Sequence, residues 1–254
     1  MCGRFGLIHS LDEILRVYSL NMGAVNFQPR FNIAPGQYIL TITSQENRNE
    51  SKNIASSFKW GFVPSWAKDI SVGSKMINAR AETVYKKPSF SSAFQGRRCL
   101  IPASGFYEWQ TQPTGSKQPF WISAADGGLL TFAGLWESWM SNDGNQLQTC
   151  TIITTNANSS LEAIHNRMPV IIEPDKFNTW LKGDYNSTQP SPITTDLLRS
   201  SPDEITLAWP VSRRVNNISN GGASLIESAD ASIENNEKYK TIGNKQGKLF
   251  PNED

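Results

Sequence analysis

No residue class is in such excess that it announces a partner. Lys and Arg total 24 against 23 Asp and Glu, a formal charge of +1. The overall basic footprint of a histone-like binder is absent, so any nucleic-acid contact has to be a local groove. The three cysteines, Cys2, Cys99 and Cys150, form no CxxC pair, and His9 and His165 are the only histidines. That supply supports neither a disulfide framework nor a zinc site, and it fits a reducing cytoplasm. No basic region followed by an apolar run opens the chain, and nothing approaches the ~18 consecutive apolar residues of a membrane span. A secretory leader and a membrane anchor are therefore not expected. No internal repeat is found. What remains is 254 residues with eight tryptophans, ample for a large core.

The pattern along the chain predicts short strands and shorter helices. Residues 3–8 are apolar and glycine-flanked, a strand that would hold the N-terminus inside the fold. Ser10 to Glu13 form a capping box ahead of one helical stripe of Leu11, Ile14, Leu15 and Tyr18. Extended chain from residue 30 turns at Pro35 and Gly36 into a β run over 38–43. The polar stretch 44–53 reads as a hairpin tip, and 58–62 as a strand stopped by Pro64. A short helix with Pro88 in its first turn is expected over 88–94, then strands over 97–102 and 105–109. Residues 120–124 and 129–136 predict a hairpin around Asp126-Gly127-Gly128. Residues 149–155 are strongly β. Asn158 to Ser160 can cap a helix carrying Leu161, Ile164 and His165, before a turn at 166–169 and a strand at 170–172. Helices are expected over 174–181 and 193–199, and a strand over 205–211. Beyond about residue 228 the composition turns polar, mixed in charge and aperiodic, as in a flexible tail. One domain over 1–228 with a tail over 229–254 is the expected organisation.

Four positions carry possible chemistry. If Met1 is removed, which a small second side chain permits, Cys2 becomes the first residue and presents an α-amine and a thiol on adjacent carbons. Such a 1,2-aminothiol can form a Schiff base with an aldehyde and then close to a thiazolidine, which no internal cysteine can do. Unperturbed pKa values of about 8 for the amine and about 8.5 for the thiol need only modest tuning for reaction near neutral pH. The plainer reading is a small buried cysteine at a strand start. Glu108 shares a strand face with Phe106 and opposes Tyr107 and Trp109, and a carboxylate among aromatics has its charged form disfavoured, as a general acid/base requires. An edge-strand glutamate paired with an arginine is the other reading. His165, ending a short helix before an Arg-containing turn, is either a site residue or a structural histidine. Trp66, in the turn after Pro64, is either a plug over the core or a stacking platform.

Seven stretches in order change the balance: Met1-Cys2-Gly3-Arg4-Phe5, Phe31-Asn32-Ile33-Ala34-Pro35, the run from Trp60 to Trp66, Ile77-Asn78-Ala79-Arg80-Ala81-Glu82-Thr83, Gly105-Phe106-Tyr107-Glu108-Trp109, the run from His165 to Val170, and Pro210-Val211-Ser212-Arg213. Together they resemble the SOS response-associated peptidase family of abasic-site processing proteins. The resemblance implies a mixed α/β (α+β) fold, a single domain with a β-barrel-like core flanked by short helices, and a positive cleft for single-stranded DNA. It implies self-removal of Met1, covalent capture of an abasic deoxyribose as a thiazolidine through Cys2, and lyase cleavage through the Schiff base when the thiol cannot close. Under it Cys2 supplies amine and thiol, and Asn78 orients the opened sugar or the amine. Glu108 shuttles protons, and His165 assists ring opening as an acid/base. Arg4, Arg80, Arg167 and Arg213 would meet phosphates, while Asn32, Pro35 and Trp66 line the path. Where the family often has paired tryptophans, this chain has Trp66-Ala67.

The implied partner is single-stranded DNA containing abasic sites, with no metal or other cofactor. The protein is expected to be a cytoplasmic monomer, associated with the nucleoid if bacterial. Two rivals stand beside this reading. Glutamine amidotransferases also begin Met-Cys-Gly and use an N-terminal thiolate as nucleophile, although Arg4-Phe5 replaces their usual apolar residues. A non-catalytic single-strand binding module with Cys2 merely buried is the other. Separately, Gln246, Leu249 and Phe250 match the Q-x-x-L-F peptide with which bacterial replication proteins dock on the sliding clamp.

Overall fold

A computed structural model describes residues 2–20, 27–47, 50–182 and 196–229. The fold is mixed α+β, with strands in two sheets and a few short helices. Five strands close on themselves as a barrel. β3 (Tyr38–Asn47) and β4 (Glu50–Trp60) form a long antiparallel hairpin from Tyr38↔Lys59 to Asn47↔Glu50. β3 meets β6 (Arg98–Ala103) at Ile42↔Leu100, and β6 runs antiparallel to β9 (Leu130–Met140). β9 pairs in turn with β10 (Gln146–Asn156). Parallel pairing of Thr149 with Lys59 and Cys150 with Trp60 joins β10 to β4 and closes the ring. Every residue of β6 is buried, as is each from Leu130 to Leu135, consistent with strands covered on both faces.

The second sheet is open and antiparallel, in the order β12 (Thr206–Pro210), β8 (Lys117–Ala124), β7 (Gly105–Thr111), β1 (Phe5–Leu7), β2 (Arg30–Ile33). Its two faces bury different clusters. Phe5, Phe106 and Ile122 join the barrel core, whereas Tyr107, Trp121, Leu207 and Trp209 pack with Val215, Leu225 and Ile226 of the C-terminal segment. The indole of Trp121 crosses β1 and β7 where only glycine leaves room: a Cβ on Gly105 would lie 2.4 Å from it, and one on Gly6 3.0 Å. Glycine at those two positions lets the N-terminal strand lie flush against β7.

Short elements decorate this frame. α1 (Leu11–Val17) starts as expected, with Ser10 Oγ accepting the Glu13 N–H. α2 (Ser91–Gly96) begins three residues after Pro88, which lies in the preceding turns. α3 (Ser159–Glu162) is capped by Asn158, and α4 (Phe177–Lys182) follows a 3₁₀ turn beginning at Pro174. β5 (Asn78–Arg80) and β11 (Arg167–Pro169) both pair with the end of β10.

Three expectations need correction. The polar stretch 44–53 is the end of a hairpin, as expected, but its loop-like sequence is mostly strand, because in a long hairpin mutual backbone pairing overrides polar composition. The turn at Asp126 to Gly128 exists, with Gly127 at φ 77° and the Gly128 N–H donated to Asp126 Oδ1. It joins no hairpin: β8 pairs with β7 and β12, and β9 with β6 and β10, so the turn carries the chain from one sheet to the other. Turn chemistry fixes a reversal, not a partner. The strand expected at 170–172 lies earlier, at β11, with Ile171 in a single bridge to Phe132. Residues 193–195 of the helix expected over 193–199, the tail from 230, and Gln246, Leu249 and Phe250 lie outside the described residues, and of the rest of that helix only 196 and 197 are helical. Among the described residues no helix is long and apolar enough to cross a membrane.

Candidate active site

The N-terminal strand runs beside β7: the Tyr107 N–H donates to the Arg4 C=O at 2.9 Å, and Phe5 pairs with Phe106. Cys2 is wholly buried at the head of this strand. Burial pushes its thiol far above the ordinary range, and the charge of Glu108 raises it further. The expectation of a thiol tuned to neutrality is therefore not met by the closed site. Glu108 is 4% exposed and lies on the same face of β7 as Phe106, between sheet and barrel. Burial raises its carboxyl to about 7, against the pull of nearby positive charge that includes Lys117. At neutral pH the group is poised to give or take a proton.

His165 arrives from the other side. Asn158 Oδ1 accepts the Leu161 N–H at 3.2 Å to start α3, and the His165 N–H donates to Leu161 C=O at 3.0 Å as the helix ends. Its Nε2 stands 3.9 Å from Glu108 Oε2. Its Nδ1 accepts the Arg167 N–H at 2.9 Å. Burial, then surrounding positive charge, lowers its pKa. Phe106, Glu108, Ile122, Leu161, Ile164, His165 and Arg167 line one narrow crevice.

β10 aligns the remaining groups. Along 152–154 it is flanked by β5, which carries Asn78 and Arg80, and along 154–156 by β11, which carries Arg167. The side-chain amide of Asn78 is buried, with neither Nδ2 nor Oδ1 bonded among the described residues. An amide in that state is ready for a ligand, since a buried polar group left unpaired costs about 1–3 kcal/mol. Arg167 is engaged already: its guanidinium grips Glu82 through both nitrogens and also donates to Asn156 Oδ1 and the Thr154 C=O.

The expected DNA contacts divide into two groups. Trp66 is 65% exposed on a turn fixed by the Trp139 Nε1–H donating to Ala67 C=O at 2.7 Å, so the plug reading fails. Pro35, Arg80 and Arg213 are also exposed. Arg4 and Asn32 instead face inward. Asn32 Nδ2 donates to the C=O groups of Val215, Asn217 and Asn220, and its Oδ1 accepts from Arg4, which also bonds Val215 C=O at 2.7 Å and lies over the Trp109 ring. Residue patterns missed Glu82 as the partner of Arg167, although an acid two positions after Arg80 was visible. They also missed the carbonyls of 215–220, for which no sequence signal exists.

Comparison with known proteins identifies the family and the fold. The model of the SOS response associated peptidase (SRAP) family matches residues 1–218. The chain is 41% identical to the abasic site processing protein YoqW of Bacillus subtilis over 90% of its own length and all of the relative's. It is 29% identical to the abasic site processing protein YedK of Escherichia coli, over 89% of this chain and 99% of that one. A solved protein of Bacteroides thetaiotaomicron superposes with a TM-score of 0.77 at 22% identity, covering 90% of this chain and 100% of the other. With a family match over most of its length and relatives at this identity, the chain belongs to the SOS response-associated peptidase family.

Proposed function

We propose that this protein recognises abasic sites in single-stranded DNA and crosslinks to them through Cys2 after removing its own Met1. The observation that carries the reading is a potential 1,2-aminothiol next to a buried carboxyl that titrates at about 7. The relatives named as abasic site processing proteins support the substrate.

An abasic deoxyribose offers an aldehyde only when its ring is open. The freed α-amine adds to that carbonyl, and protonated Glu108 gives its proton to the departing hydroxyl, releasing water and leaving a Schiff base. The buried thiol holds its proton, so it needs a base at hand. The nitrogen still carries its N–H, so this Schiff base is an iminium. Glu108, now a carboxylate, accepts the thiol proton, and sulfur adds to the iminium carbon. The electron pair of the C=N bond moves to nitrogen, and Glu108 ends protonated as it began. The product is a thiazolidine. Asn78, with both amide atoms available, orients the opened sugar. Exposed Trp66, Arg80 and Arg213 hold the flanking strand by stacking and charge. Without the thiol, the Schiff base would be left to strand cleavage, a lyase reaction.

Intact mass spectrometry tests the whole sequence of events. The purified protein should lack one methionine and, with an abasic oligonucleotide, gain one DNA strand minus water. Cys2→Ala, with Met1 still removable, should lose the stable adduct and retain some strand incision. A normal adduct yield from that variant would sink the mechanism.

A further inference from the structure

We propose that His165 acts in this site as a neutral imidazole with its one ring proton on Nε2, that the main-chain N–H of Arg167 sets this tautomer, and that Glu108 alone carries protons to and from the sugar. The proposal rests on the crosslinking reading above and assigns the division of labour within it.

The tautomer follows from what each nitrogen meets. A backbone N–H can only donate, so the 2.9 Å contact from Arg167 requires a lone pair on Nδ1. The Arg167 C=O lies 3.3 Å from the same nitrogen and could accept from a protonated Nδ1. That state would drive two hydrogens together along the shorter line, so the longer contact yields. The donor is firmly held. Arg167 of β11 pairs with Asn156 of β10, and its guanidinium is clamped by Glu82, Asn156 and Thr154. The charged groups around the ring are Glu108 from β7, Lys117 from β8, Arg167 from β11 and the chain's amino terminus, with the Cys2 thiol beside Glu108. The positive members oppose a second proton on the ring.

A neutral imidazole gives up its remaining N–H far less readily than an imidazolium does. Nε2–H therefore serves as a hydrogen-bond donor, not as an acid. An oxygen beside the pair can lie within hydrogen-bond distance of both Nε2 and Glu108 Oε2, which are 3.9 Å apart. In ring opening the C1 hydroxyl gives its proton to the Glu108 carboxylate, the bond from C1 to the ring oxygen breaks, and the electron pair moves to that oxygen. Glu108 then returns the proton there. Nε2–H stabilises the developing charge without leaving the ring. Arg167 is in this respect a positioning residue.

Nitrogen-15 NMR of the mature protein reads the ring directly. Between pH 6 and 8 the expected result is an unprotonated Nδ1, a protonated Nε2, and a scalar coupling from the Arg167 nitrogen to Nδ1 across the hydrogen bond. A protonated Nδ1, or a doubly protonated ring at pH 6, overturns the proposal. Single-turnover crosslinking to an abasic oligonucleotide supplies the second readout. Glutamine can present an N–H near the Nε2 position but cannot relay a proton. His165→Gln should thus crosslink at least about 10-fold faster than His165→Ala and keep the wild-type pH midpoint. Equal rates, or a midpoint that disappears with the histidine, would refute it. If wild-type protein forms no adduct at any pH, the functional reading fails while the NMR result still decides the tautomer.

Discussion

The molecule's two histidines are put to opposite uses. His9 is 1% exposed and both its ring nitrogens are taken: Nδ1 contacts Ser104 Oγ at 2.5 Å and Nε2 the Gly127 C=O at 3.1 Å. Ser104 Oγ also accepts the N–H groups of Ile8 and His9, so this imidazole ties β1 to the turn after β8. His165 has one nitrogen fixed by Arg167 while the other faces a carboxyl across a crevice. The lesson is that a buried ring with both ends bonded is a strut. A ring with one end held and the other aimed at a titratable group is a tool.

The largest expected effect comes from exchanging the two. His165→Ala should slow crosslinking by about 10²–10³-fold, the usual cost of removing one hydrogen-bond donor from a developing charge, with little change in unfolding free energy. His9→Ala should do the reverse. It loses about 2 kcal/mol of stability by orphaning the Ser104 hydroxyl and opening a cavity, yet its folded fraction should crosslink at the wild-type rate. Urea titration and single-turnover kinetics on both variants check this, and a slow His9→Ala would break the contrast.

Next in size is Glu108→Gln. The folded carboxyl titrates at about 7 and its ordinary value is 4.5. Stability due to the protonated form is complete at low pH and is lost as pH rises from about 4.5 through 7. Glutamine escapes that loss. At pH 8 the variant should be about 3 kcal/mol more stable than wild type, with the gain vanishing below pH 4.5. A denaturation series across pH measures the gap.

A smaller effect tests the same contrast in tryptophans. Trp209 is buried and donates its Nε1–H to Ile226 C=O, whereas Trp66 stands free on its turn. Trp66→Ala should weaken single-strand binding by about 1–3 kcal/mol at unchanged stability. Anisotropy titration with a labelled oligonucleotide reads the difference, and a stability loss instead would return Trp66 to the core.

Strands, caps and motif residues were readable because they are local: Ser10 before Glu13, or Glu108 sharing a strand face with Phe106. Pairing was not. The barrel closes through contacts as slight as Ile42↔Leu100 and the parallel Thr149↔Lys59 step, and residue patterns carry no signal for either. Cys2, Glu108 and His165 could be named from motifs, and the fold brings them together. The clamp of Glu82 on Arg167 and the grip of Asn32 on 215–220 depend on how distant segments are folded against one another. Local sequence cannot express that.

That grip bears on where the chain can safely be cut. The family match stops at 218, but Asn32 reaches Asn220, Val211 bridges Ser228, and the Ala229 N–H donates to Pro210 C=O. Trimming to the match would strip the cover from Tyr107 and Trp209 and wet the back of the strand that carries Glu108. The last dozen residues of this segment work as a roof over the sheet, though they touch none of the reacting groups.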